Sequence, residues 1–138
     1  MKDLFNNITV ARAISPVSVS DNTAQVGVII DRQGYNSLTF AIALGSLADA
    51  DATFAVTIDH GDNSALADAA AVPAGDLLGT AALAGFTFAD DNATRKIGYR
   101  GAKRYVRLTI TPSGNASAAL IAAVALLSHP HAAPTSNP

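Results

Sequence analysis

Four stretches of the chain place apolar residues at every second position. Val26, Val28 and Ile30 form one row, Leu38, Phe40, Ile42 and Leu44 a second, Phe54, Val56 and Ile58 a third, and Val106, Leu108 and Ile110 a fourth. A period of two marks a strand with one buried face, because successive side chains point to opposite sides. In the fourth row Arg107, Thr109 and Thr111 take the opposite face. Weaker strands are expected at Ile8 to Ile14, Phe86 to Ala89, Arg95 to Tyr99 and Ala118 to Ser128. Turn-forming runs such as Asp31-Arg32-Gln33-Gly34, His60-Gly61-Asp62-Asn63 and Pro112-Ser113-Gly114-Asn115 separate the segments. The pattern therefore predicts an all-β, antiparallel sandwich of about eight short strands, with jelly-roll topology.

Two segments depart from strict alternation. Ala, Leu and Ile fill both faces of Ala118 to Ser128, which fits either a strand buried on both sides or a buried helix; the Gly-Asn turn before it and His129-Pro130 after it favour a strand. Ser64 to Ala84 is alanine-rich and interrupted by Pro73, Gly75 and Gly79. It reads as a long connection with a short helical turn, as Greek-key and jelly-roll topologies both contain. Residues 129–138 hold three prolines and lack periodicity, so a single domain over residues 1–128, with an extended amino-terminal segment, is expected to precede an extended tail.

Composition narrows the function classes. The chain has 138 residues, 49% hydrophobic and only 14% charged, well below the ~25% charge of an average domain; so lightly charged a surface favours association. All eleven acidic residues are aspartate, a residue that favours turns over helices. With no cysteine, disulfides, thiolate metal sites and cysteine nucleophiles are excluded. The start, Met1-Lys2-Asp3-Leu4-Phe5-Asn6-Asn7, lacks the apolar region of a signal peptide, and the run Ala118 to Leu127 is shorter than the roughly 20 residues that span a bilayer. A soluble protein with no membrane partner and no cleaved signal is expected.

Charge is segregated along the chain. Between Gln33 and Thr94 there are eight aspartates and no lysine or arginine. Arg95, Lys96, Arg100, Lys103, Arg104 and Arg107 then follow within what reads as one hairpin. Two readings stay open: complementary docking onto a partner or another copy, where charge sets orientation and encounter rate, and pairing of these charges within the same chain.

Candidate chemistry is sparse. Phosphate-binding glycine loops and the hydrolase serine elbow are missing. Asp59 and His60 are adjacent on a strand and point to opposite faces, which separates them as members of a triad. The aspartates have no EF-hand spacing, and turn roles explain them better than calcium does. His129 and His131 alone make a poor metal site, so no catalytic, metal or cofactor site is assigned. Basic residues near Tyr99 and Tyr105 superficially suit nucleic acid, but the net charge of −2 opposes that partner. A carbohydrate-binding module would present aromatic platforms, whereas the chain has no tryptophan and three tyrosines. A cupin-like enzyme would need clustered histidines and a glutamate.

The segments Asp3-Leu4-Phe5-Asn6-Asn7-Ile8, Asp31-Arg32-Gln33-Gly34-Tyr35-Asn36-Ser37-Leu38-Thr39-Phe40, Leu47-Ala48-Asp49-Ala50-Asp51-Ala52-Thr53-Phe54 and Lys103-Arg104-Tyr105-Val106-Arg107-Leu108-Thr109 resemble a family of small proteins encoded in tailed bacteriophages and prophages. That family is similar to the capsid cement, or decoration, proteins, some of which are jelly-roll domains on the outside of an icosahedral shell. The resemblance implies a structural protein, made in the bacterial host cytoplasm and placed on the capsid exterior of the virion. Its implied partners are the major capsid protein and copies of itself, as dimer or trimer; a tail or head-fibre protein is the alternative. The expected contacts are Leu4 and Phe5, the basic residues Arg95, Arg100, Arg104 and Arg107, and His129 and His131 in the tail.

Overall fold

The computed structural model describes residues 2–136. In chain order its strands are β1 (Ile8–Val19), β2 (Gln25–Val26), β3 (Ile30–Asp31), β4 (Tyr35–Leu47), β5 (Thr53–Gly61), β6 (Ala70–Ala71), β7 (Leu77–Leu78), β8 (Phe86–Thr87), β9 (Thr94–Tyr99), β10 (Tyr105–Ser113) and β11 (Ala119–Pro130), with one short helix, α1 (Ala81–Ala84). The first sheet runs β1-β11-β4-β9-β7. In the second, β10 pairs with β5; β2 and β3 share the outer edge of β10, while β6 and β8 share that of β5. The principal strands thus alternate between sheets along the chain. Eight sandwich positions in this order make a jelly roll, with β7 added at one edge.

Three of the four alternating rows become the core. Phe40, Val106, Leu108 and Ile110 have no exposed surface, and Leu38, Ile42, Phe54 and Val56 are nearly as enclosed. Each such side chain contributes about 1.5–3 kcal/mol by leaving water. Phe54 stacks on Phe86, their ring centroids 4.8 Å apart.

The first row is different. Only Ile30 of its three residues is buried, and Val26 is 58% exposed. Here the backbone leaves β2, donates from Gly27 N–H to Leu108 O and from Val28 N–H to Ala13 O, and then enters β3. It bridges the two sheets, so alternation along it cannot fill one face. A β carbon at Gly27 would lie 2.5 Å from Leu108 O, which is why glycine stands at the crossing.

The basic segment also departs from expectation. β9 pairs with β4 and β7, whereas β10 pairs with β2, β3 and β5. Residues 100–104 are therefore a crossover from one sheet to the other, not the turn of a hairpin. Tyr99 organises it: its hydroxyl accepts from Lys103 N–H (3.0 Å) and shares a hydrogen bond with His60 Nδ1 (2.8 Å). The Arg32 guanidinium lies 5.0 Å from the Tyr99 ring centre and donates to the carbonyls of Lys103 and Gly101.

At the ends, β1 runs five residues beyond the expected Ile14, past register shifts between Arg12 and Val17. Pro16 has no N–H to give a ladder, and an irregular edge strand tolerates it. β11 continues to Pro130, so His129 belongs to the sandwich rather than to a tail. Beyond it, His131 N–H donates to Gly34 O and Thr135 N–H to Asn6 O, which fastens the described part of the expected tail to the domain. Residues 137 and 138 lie outside the described residues. The Ser64 to Ala84 connection holds α1, capped by Thr80 Oγ1 accepting from Leu83 N–H at 3.0 Å, and also the short β6 and β7.

Candidate functional site

The two outer faces of the sandwich are chemically unlike. On the second sheet, cross-strand neighbours pair Thr109 with Thr57, Arg107 with Asp59 and Ser113 with Thr53. That surface is more polar, although Val26 lies exposed beside Thr109 and Ala55 opposite Thr111.

On the first sheet the register sets Val10 beside Leu126, Leu126 beside Thr39, Thr39 beside Gly98 and Gly98 beside Leu78. The next row outward runs Arg12, Val124, Ala41 and Lys96, and beyond it Ala122 lies beside Ala43. Leu120 and Val124 are 45% and 37% exposed. This explains the apolar residues on both faces of Ala118 to Ser128: one face fills the core, and the other meets water.

Two glycines shape this surface. A β carbon on Gly45 would lie 2.8 Å from Leu120 Cβ, and one on Gly98 would lie 2.9 Å from Leu78 Cβ. Without those β carbons, both leucines lie flat on the sheet. Two shallow grooves result. One, of about 440 Å³, is lined by Pro16, Val17, Gly45, Leu120 and Ala122; the other, of about 560 Å³, by Leu4, Ile8, Thr39, Leu78, Lys96 and Leu126.

The expected contact residues are dispersed. Leu4 (61% exposed) lines the second groove and so joins the apolar face, and Phe5 is exposed beside it in the chain at 67%. The basic residues are engaged within the chain. Arg95 meets Asp90 at 2.6 Å, and Arg104 holds Asp31 through two bonds of 2.9 Å and donates to Gln33 Oε1. Arg107 lies 3.7 Å from Asp59, and Arg100 donates to Gly75 O. Lys103 meets Asp62 at 2.8 Å. Of the two open readings of the charge pattern, in-chain pairing is the one the geometry displays.

These pairs move the carboxyls. The hydrogen bond from Arg104 holds Asp31 below the ordinary carboxylate value, and that from Lys103 does the same for Asp62. Asp90 is lowered first by the backbone N–H of Thr87 and then by Arg95. Burial pushes the Tyr99 phenol upward.

His129 Nδ1 lies 2.6 Å from Ser37 Oγ and 3.2 Å from Ser128 Oγ, while His131 Nε2 is 2.9 Å from Asn36 Oδ1. Both imidazoles tie the end of the chain to the start of β4. Among the described residues no three His, Cys, Asp or Glu side chains converge as a metal site would need, and no helix is long and apolar enough to cross a membrane.

Sequence reasoning names Leu4, Phe5, the four arginines, His129 and His131 as contacts and does not single out the apolar face, which only Leu4 joins. The signal was present in Leu120, Ala122, Val124 and Leu126, whose alternation with buried residues was read as burial on both sides.

No family model matches the chain, and no curated protein matches it. Among solved structures, the PBSX exported protein XepA is similar over 94% of this chain at 14% identity, with a TM-score of 0.54. The chain spans 40% of that protein's length. A protein of the capsid of Ralstonia phage GP4 aligns over 93% of this chain and 88% of its own at 12% identity and TM-score 0.46, and the xylan-binding module CBM15 over 94% and 95% at 11% identity and TM-score 0.44. At these identities the likeness to XepA establishes a shared sandwich fold, and nothing about activity passes with it.

Proposed function

We propose that the chain is a structural virion protein of a tailed phage, a cement or decoration protein that binds the outside of the capsid and bridges major capsid protein subunits without catalysis or a cofactor. The observation that carries this reading is the outer face of the first sheet, broad, apolar and open to solvent on an otherwise well-satisfied domain. The segment resemblances described above supply the phage context and name the partner. Many copies, each weakly held through such a face, reinforce a shell by avidity. A sugar-binding role lacks support because the tyrosines are occupied. Tyr99 is buried, the Tyr35 hydroxyl is bonded to Thr9, and the Arg104 guanidinium stands 5.0 Å over Tyr105.

Purified protein added to expanded shells lacking it should bind to saturation and raise the temperature at which the shells come apart. Leu120→Asp with Val124→Asp should abolish that binding while leaving the melting of the free protein within about 1 kcal/mol of wild type, since both sites are exposed. Shells that bind the variant equally well would move the contact elsewhere. Shells that ignore the wild type would turn the assignment toward a tail or head-fibre role.

A further inference from the structure

The apolar face carries two charges, and both are cations. Arg12 on β1 and Lys96 on β9 occupy the same cross-strand row, with Val124 and Ala41 between them. Their backbone anchors are therefore three strand spacings, about 14 Å, apart. With Lys2 at the amino terminus, they differ from the other cations of the chain. Arg95, Lys103, Arg104 and Arg107 are ion-paired, and Arg32 and Arg100 donate to backbone carbonyls. Among the described residues Arg12 and Lys96 have neither kind of partner.

The strands that build this face, β1, β4, β9 and β11, contain no aspartate. Two copies packed with these four strands in contact would therefore bring no carboxylate of those strands to either cation, which leaves a desolvated charge unmatched.

We infer that the occupant of this face is a different protein, whose contact surface is apolar at its centre and bears carboxylates at both margins, facing Arg12 and Lys96. This rests on the capsid reading above and specifies the chemistry of the surface to be found on the shell. The apolar floor supplies affinity, and the two cations set orientation across it.

Occupancy on purified shells, measured across a salt series for wild type and for Arg12→Glu with Lys96→Glu, tests the assignment. Wild-type binding should weaken as salt screens the pairs, and the double reversal should lower affinity by about tenfold or more at low salt. Circular dichroism and melting of the free variant should match wild type, and Arg12→Gln with Lys96→Gln should fall between the two in affinity. Wild-type binding that is indifferent both to salt and to the double reversal overturns the carboxylate assignment and leaves the capsid reading standing. Failure of the wild type itself to bind overturns both. Concentration-dependent self-association of wild type that the reversal abolishes, followed by sedimentation, overturns it in favour of a second copy.

Discussion

Tyr99 concentrates several contacts in one side chain. Its ring is buried in the core beneath the Arg32 guanidinium, while its hydroxyl meets Lys103 N–H and His60 Nδ1. A β carbon on Gly101 would come within 2.5 Å of that hydroxyl, so the crossover is moulded around the phenol. Tyr99→Phe keeps the packing and removes the oxygen, leaving a part-buried N–H without its acceptor, and should cost about 1–3 kcal/mol in urea unfolding. A tyrosine at the end of an alternating run announces a strand. Its role in drawing His60 and Arg32 together, respectively 39 and 67 positions away in sequence, depends on topology, so only its place in a strand is legible in the sequence. For the same reason the sequence leaves open whether the arginines at 104 and 107 pair within the chain: Asp31 and Asp59 are remote from them in sequence.

Alternation identified the strands that lie wholly inside one sheet and failed where the chain changes sheets. β4, β5 and β10 follow their rows closely because each stays within one sheet along its whole length. The Val26 to Ile30 segment changes hydrogen-bond partners within three residues, from Leu108 O to Ala13 O, and periodicity contains no information about such a change. Gly27 is the pivot. Gly27→Ala forces a β carbon against the Leu108 carbonyl and should destabilise the domain by about 1–3 kcal/mol, read by thermal or chemical melting; unchanged stability would show that the crossing can shift. β11 teaches the complementary lesson. Its type was legible from its flanks, but apolar residues on both faces suit an exposed binding surface as well as a doubly buried strand, and only the position of the second sheet distinguishes them.

Across the whole molecule, charge is neutralised within the chain at the end where the basic crossover lies, through Arg104 with Asp31 and Lys103 with Asp62. Asp31, Asp62 and Asp90 are all held below their ordinary values. The folded chain therefore resists protonation more than the unfolded chain does. Their contribution to stability is complete above the unfolded-state value of about 3.9 and is lost as pH falls through the lower folded values. A melting series should consequently be level in this respect down to about pH 5 and decline modestly below about pH 4. A decline that begins near neutrality would point to other groups. The jelly-roll class could be expected from strand number and spacing; the unequal outer faces, on which the proposed function rests, emerge only once the sheets are assembled.

The chain enters and leaves the sandwich at one end, through two neighbouring antiparallel strands: Ile8 lies opposite Ser128, and Thr135 N–H reaches Asn6 O. A force drawing these two ends apart would load the β1–β11 ladder like a zipper, opening its hydrogen bonds one after another instead of shearing them together. Such a ladder yields at low tension. A pull that arrives broadside through the face of the sheet loads the strands together, whereas a tether or cargo attached at either end would peel the first strand away, and with it the core residues Ala13, Ile14 and Val19.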